Sequence, residues 1–495
     1  MEKKRKMTIT IDNGNMCSLE GPLLVSSKLF EMYKVKHPNA WHIQMYQKGK
    51  YKWDGFIKYI SESGRFRIGL LPKIYKSIID MGISVNIIDK RNQKDVIPVI
   101  PDILGDKQLY PRQKVALKNL LNNKVGNIPF RICVGDFSVG FGKSILFASI
   151  HESFQRKLKT ILLLSDSNLF NQFKKEFPPM LPDEDIKFIQ GNNITFGNFN
   201  VAMVQSLSRN IKSYSYSLSQ MDIVLIDEAD IIDNKTYKTV IEHLYNANIR
   251  IGLSGTIYMS NLKKDMVHNL NIMSFIGDKV DEVRLHEQIS SGNATRVIVK
   301  MIPAQFKNYT GVKGPLDYPE EYRNIIINNI GAYKLSFTRT LFNATYNRFP
   351  MIIVCKFIDH CEKLYEYYRE QNIKGNYGWK IEYVHHQTKN RDKILQRFRD
   401  GEIDILISTL IISRGQNFPR LQYLQNIASM DSREKSIQIL GRLVRKYQGK
   451  NKTYLDDFIF PGQYLKRHGN HRKVYYQKEK LKVILVKSKR YSIPY

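Results

Sequence analysis

The chain has 495 residues, with 77 Lys and Arg against 46 Asp and Glu, a net charge of +31. A surplus of that size points to a polyanion, most often nucleic acid, and a small neutral substrate alone would not account for it. The 42% hydrophobic and 25% charged composition excludes wholesale disorder. No run of 18 apolar residues exists to cross a membrane.

The length implies about three domains. The basic start, MEKKRKMTITIDNG, lacks the apolar region of a secretory signal. The four cysteines, Cys17, Cys133, Cys355 and Cys361, form no C-x-x-C pair, so no disulfide or zinc framework is expected. A reducing cytoplasm, a host's if the chain is viral, is the expected compartment.

Residues 1–98 read as a small α/β unit of net charge +9, from 18 basic and 9 acidic residues. Alternation predicts a strand at 7–11, a helix at 23–33, a hairpin of 51–59 and 65–70 around a turn at 61–64, and a helix at 72–81. Lys52, Trp53, Arg65 and Arg67 interleave cations with aromatics, a pattern that suits base stacking and phosphate contact. A strand pair with its aromatics packed in the core remains an equal alternative. Residues 96–106 carry Pro98, Pro101 and Gly105 and read as a linker.

From Leu109 the pattern changes. Short apolar runs at 130–134, 160–164, 201–204, 223–226 and 251–253 alternate with helices, the signature of strands buried on both faces of a parallel sheet. The same grammar restarts at 296–301, 351–355, 381–384 and 405–408. The fold class is therefore α/β, with two tandem parallel-sheet domains behind a small N-terminal α/β domain that would bind nucleic acid. The expected boundaries are 1–98, 99–285 and 286–495.

The strand at 130–134 runs into a glycine loop ending Gly140-Phe141-Gly142-Lys143-Ser144, and a helix follows. That order makes an anion cradle, because loop N–H groups and the helix dipole both face a phosphate. Lys143 can reach the β- and γ-phosphates and Ser144 can ligate Mg²⁺. Phe137 stands where the full phosphate-loop pattern has its first glycine.

The strand at 223–226 ends in Asp227-Glu228-Ala229-Asp230. A carboxylate at a strand tip near a phosphate loop can hold Mg²⁺, and the next one can polarise the attacking water. Ser254-Gly255-Thr256 follows a later strand. Gln438, Arg442 and Arg445 fall at i, i+4 and i+7, one face of a helix, and suit arginine fingers.

In this order the motifs resemble those of superfamily 2 helicases and translocases. The resemblance implies two RecA-like domains. It gives Gln113 adenine recognition, Gly140, Gly142, Lys143 and Ser144 the phosphates, and Asp227 and Glu228 the metal and the water. It makes Ser254, Thr256, Asp230 and Gln438 coupling residues. Thr409 and the following Gly415 and Asn417 resemble a further motif contacting strand and nucleotide, although the family usually has an acidic residue where Asn417 stands. Gln205 and Lys356 resemble strand-contacting positions. Trp53-Asp54-Gly55, Gly69-Leu70-Leu71-Pro72 and the basic segment with Arg467, Arg472 and Lys473 resemble the UvsW-like recombination and fork-remodelling DNA helicases of phages.

The expected activity is therefore ATP- and Mg²⁺-dependent helicase or translocase action on duplex, forked or branched DNA, in recombination, repair or replication-fork remodelling, with R-loop unwinding in reach. The alternatives are an RNA helicase or transcript-release ATPase, which would bring RNA or an RNA–DNA hybrid as partner, and a non-catalytic clamp with a vestigial ATPase. No membrane partner is expected, and a monomer is.

Overall fold

The computed structural model describes residues 6–46, 53–192, 194–257, 266–306, 317–413 and 417–486. Packing divides the chain into two units, 1–137 with 142–282 and 138–141 with 283–495.

The first unit is built on a seven-stranded sheet in the order Ile186–Ile189, Phe199–Met203, Thr160–Leu164, Ile223–Asp227, Ile249–Ser254, Arg131–Phe137, Asp278–Val283. Register is parallel from the first of these through Arg131–Phe137. Thr160–Leu164, Ile223–Asp227 and Ile249–Ser254 are buried at every residue, which explains why their sequences are apolar without alternation. Parallel register puts all C-terminal strand ends on one edge, where the sequence keeps its polar motifs.

The N-terminal region adds a four-stranded sheet in the order Arg65–Arg67, Met16–Glu20, Lys6–Ile11, Ser84–Asp89. Helix Leu71–Asp80 lies against it, and Leu71, Ile74 and Ile78 are buried. Its core is continuous with the larger sheet's: Ile9, Leu29, Phe66 and Ile74 pack in one cluster with Phe130, Ile132, Leu270 and Met273. Arg250, 1% exposed, pins the join. Its guanidinium donates to Gly14 O at 2.9 Å, Asn15 Oδ1 at 2.6 Å and Phe275 O at 2.7 Å.

The predicted hairpin is only partly formed. The turn exists, with Gly64 N donating to Ser61 O at 2.8 Å. However, Phe56–Lys58 pairs with Lys34–Lys36, and Arg65–Arg67 pairs with Met16–Glu20. Each arm found a better-matched partner elsewhere, a choice that local alternation cannot encode.

The second unit repeats the plan, with seven strands in the order Ile381–Val384, Ile405–Ser408, Met351–Val354, Tyr423–Asn426, Lys452–Ile459, Arg296–Pro303, Lys482–Leu485, all parallel. Strand Lys452–Ile459 carries Asp456 and Asp457, both 0% exposed. Consecutive strand residues point to opposite faces. On one face Arg339, from helix Ile330–Ala344, donates to Asp456 at 2.6 Å. On the other Arg472, from helix Gln463–Lys478, grips Asp457 at 2.7 Å. All four cysteines are free and buried.

Candidate nucleotide site and nucleic-acid contacts

At the first sheet's C-terminal edge, Ile249–Ser254 lies between Arg131–Phe137 and Ile223–Asp227, with Asp136 opposite Ser254 and Asp227 opposite Leu253. The three central motifs are thus delivered by adjacent strand tips. The glycine loop then turns into helix Lys143–Ser153 through Gly142, whose φ of 84° is left-handed. A Cβ there would also meet Gln113 Nε2 at 2.6 Å, so this position requires glycine.

Lys143 follows as the first helical residue. Its Nζ lies 3.6 Å from Asp227 Oδ1. That oxygen is buried and accepts no hydrogen bond among the described residues. Glu228, half-buried beside it, holds φ at 49°, a left-handed conformation that costs about 1–2 kcal/mol in a non-glycine residue and is typical of functional turns. Asp230 is 7% exposed and accepts from the Ser254 hydroxyl at 2.7 Å. Ser254 Oγ in turn accepts from Thr256 N at 3.2 Å. One bonded chain therefore links the acidic turn to the strand beside it.

The set fits MgATP. A left-handed glycine opens the cradle, Ser144 sits one residue into the helix, and Asp227 keeps a buried oxygen open to a cation. Gln113 has a second task. It is 1% exposed, and its Oε1 accepts from Tyr110 N at 2.9 Å, capping helix Pro111–Leu121. Gln205 is exposed and donates to Ser165 O at 3.2 Å, joining helix Val204–Arg209 to the loop after Thr160–Leu164.

In the second unit, Lys356 and Thr409 line one open groove with Arg323, His386 and Lys435. The Lys356 ammonium lies 3.7 Å above the Tyr318 ring. Burial, and then Lys435, push it down to about 8. Gln438 donates to Glu434 at 3.2 Å from helix Arg433–Leu443, where Arg442 is buried. The single helical face expected for Gln438, Arg442 and Arg445 needs correcting: the helix ends at Leu443 with Val444 as its cap, so Arg445 leaves from the segment beyond.

Arg472 also needs correcting as a nucleic-acid contact. It is 0% exposed, and its donors go to Asp457, Met430 O and Phe458 O. Arg467 is exposed on the same helix and Lys473 is half-buried. In the N-terminal region, Trp53 Nε1 donates to Phe56 O at 2.9 Å. Arg67 is held by Glu242 at 2.5 Å and lies over Phe275, and Arg65 is exposed. Gly140 has a left-handed φ of 90°, and Asn417 is exposed. Lys52 and Gly415 lie outside the described residues. Sequence reasoning missed Lys450 and Arg250, lone cations with no motif around them.

Residues 106–259 match the type III restriction enzyme res-subunit family, and residues 334–447 match the helicase conserved C-terminal domain. The chain belongs to superfamily 2 of the helicases. Its two matched domains are those of ATP-hydrolysing enzymes, and it is related to the ATP-dependent DNA helicase uvsW of Enterobacteria phage T4. That relative is 21% identical over 451 residues, 86% of this chain and 85% of uvsW. IRC3 of Saccharomyces cerevisiae, named as an ATP-dependent helicase, is 21% identical over 354 residues, 65% of this chain. The chain spans about half of IRC3's length, 47%. Among solved structures, the Type ISP restriction-modification enzyme LlaBIII bound to DNA aligns with TM-score 0.55 at 13% identity, over 78% of this chain and 32% of LlaBIII. That likeness concerns the fold. No helix among the described residues is long and apolar enough to cross a membrane.

Proposed function

We propose that this superfamily 2 chain hydrolyses ATP to move along, and separate, strands of branched or duplex DNA. The observation that carries the proposal is the first-unit edge, where Lys143 sits 3.6 Å from a buried, unbonded oxygen of Asp227 and Asp230 is tied to Ser254. Lys143 binds the β- and γ-phosphates. Ser144 and Asp227 would hold Mg²⁺, which neutralises phosphate charge when bound. Glu228 orients the attacking water and takes its proton. Arg442 and Arg445 stabilise charge on the transferring phosphoryl group. The Asp230–Ser254–Thr256 chain gives the acidic turn a mechanical link to its neighbouring strand, a route by which phosphate loss can alter the strand-contacting loops.

DNA is preferred over RNA because the relation to uvsW, a DNA helicase by name, runs along most of both chains. The excess of +31 supplies phosphate affinity for either polymer. Recombination, repair and fork remodelling are the processes such a motor serves, and MgATP is its fuel. ATPase rates with forked, duplex and single-stranded DNA and with RNA test the reading. Forked or duplex DNA should stimulate most, and Lys143→Ala should abolish the stimulation. Stimulation by RNA alone would move the assignment to an RNA helicase. A rate that no nucleic acid raises would remove the motor reading altogether.

A further inference from the structure

Lys450 sits in a turn after the helix that carries Arg442. Its ammonium is buried, 8% exposed. It donates to Leu443 O at 2.8 Å, Arg445 O at 2.9 Å and Pro419 O at 2.9 Å. Those three bonds use every N–H of the ammonium. No carboxylate pairs with it among the described residues. Burial, and then the guanidinium of Arg445, push its pKa down to about 7, so the cation is held here against a desolvation cost.

The position of the three acceptors gives that cost a purpose. Leu443 closes helix Arg433–Leu443, whose last carbonyls have no partner within the helix and carry the negative end of its dipole. Arg445 lies two residues further on. Pro419 ends Asn417-Phe418-Pro419, in which Phe418 is buried. From just before strand Arg296–Pro303, Thr295 N donates to Val444 O at 2.7 Å and Thr295 Oγ1 to Arg445 O at 3.2 Å. The backbone of 443–445 is therefore held from two sides, and Lys450 also ties it to Pro419.

We propose that Lys450 is a positioning residue for ATP hydrolysis: by binding the carbonyls of Leu443, Arg445 and Pro419 it fixes the backbone from which Arg442 and Arg445 project. This inference rests on the role given to those arginines above. A methionine would fill the space and remove one donor from each of the three carbonyls, leaving Arg445 O with Thr295 Oγ1. Glutamine would return two N–H groups without charge. Arginine's donors splay outward in one plane, whereas the three carbonyls here converge on a single nitrogen.

The test is a double-mutant cycle on nucleic-acid-stimulated ATP hydrolysis by the full chain, with melting temperatures recorded for each variant. Lys450→Met should lower kcat roughly 10- to 100-fold and leave KM for ATP within about threefold, because arginine fingers act on the transition state. Lys450→Gln should fall between it and the parent. Arg445→Ala should lose about 10³-fold, and adding Lys450→Met to it should cost no more than about threefold further, because both changes remove one function. If Lys450→Met does not fold, the same cycle is read with Lys450→Gln. Parent-like kcat in the Lys450 variants, or losses that multiply in the double variant as independent destabilisation would, overturns the proposal. Full activity in Arg445→Ala overturns the arginine assignment itself, a separate result visible without any Lys450 variant.

Discussion

The two parallel sheets share a plan and use buried charge in opposite ways. In the first, carboxylates stand at strand tips. Asp227 keeps an oxygen with no hydrogen bond among the described residues and Lys143 3.6 Å away, and Glu228 sits on a strained turn. In the second, carboxylates stand mid-strand and each is gripped by a buried guanidinium. Asp457 receives Arg472, Asn426 Nδ2 at 2.9 Å and the Tyr476 hydroxyl at 2.7 Å, and Asp456 receives Arg339 and the Tyr423 hydroxyl at 2.8 Å. An unsaturated buried carboxylate is a standing cost that a ligand can relieve. One bonded to a guanidinium holds a helix to a sheet. The contrast lies in the partner, a lysine at 3.6 Å against a guanidinium at 2.6 or 2.7 Å, since Asp456 Oδ1 is also buried without a hydrogen bond among the described residues.

The contrast can be broken at its guanidinium-paired side first. Arg472→Ala strands Asp457 without its guanidinium and should destabilise the second unit by about 3–5 kcal/mol, measured by denaturant unfolding. A change under about 1 kcal/mol would show that the pair is not structural. Ser254→Ala removes the Ser254 hydroxyl bond to Asp230 and should reduce strand displacement about tenfold more than it reduces ATP hydrolysis, a gap of about 1.4 kcal/mol. Equal losses would remove the coupling role.

A buried base sharpens the comparison through pH. Burial pushes His360, 0% exposed, down to about 3 from an ordinary value of 6.5. The folded protein then binds fewer protons than the unfolded chain between those values. The stability this histidine contributes is fully present above about pH 6.5 and is lost as pH falls toward 3. His360→Asn should flatten the acid limb of a stability–pH curve, and an unchanged limb would contradict the burial argument. The smallest effect belongs to the exposed Arg467. Arg467→Ala should lower DNA affinity by under 1 kcal/mol and reduce the salt slope by about 1. An unchanged slope would place the phosphate contacts elsewhere.

Much of this was legible in the sequence. Strands 160–164 and 405–408 emerge at the predicted residues because buried parallel strands are nearly unbroken apolar runs, and 381–384 emerges as well although it is a half-buried edge strand carrying Glu382. The polar edge of the first unit followed from strand, glycine and acid order. The strands Tyr423–Asn426 and Lys452–Ile459 did not emerge, since TYLDDFI places two aspartates where a buried strand should be apolar. The arrival of Arg339 and Arg472 from two helices makes that sequence a core strand. The Arg339 pair spans 117 residues and the Arg472 pair 15, and neither leaves a local period. The same blindness made Arg472 look like a surface cation and hid Lys450, whose partners are backbone carbonyls with no sequence identity. Helix Gln463–Lys478 is correspondingly a wall of the second unit, with Leu465 and Tyr476 in its cores. Its deletion would report on folding, and point changes such as Arg467→Ala report on DNA.

The most direct test of the central claim is single-turnover ATP hydrolysis by Glu228→Gln, with and without forked DNA, beside ATP binding by the same protein. The account predicts parent-like ATP affinity, hydrolysis lowered by about 10³-fold or more, and no stimulation by DNA. Hydrolysis at the parental rate with full DNA stimulation would contradict it.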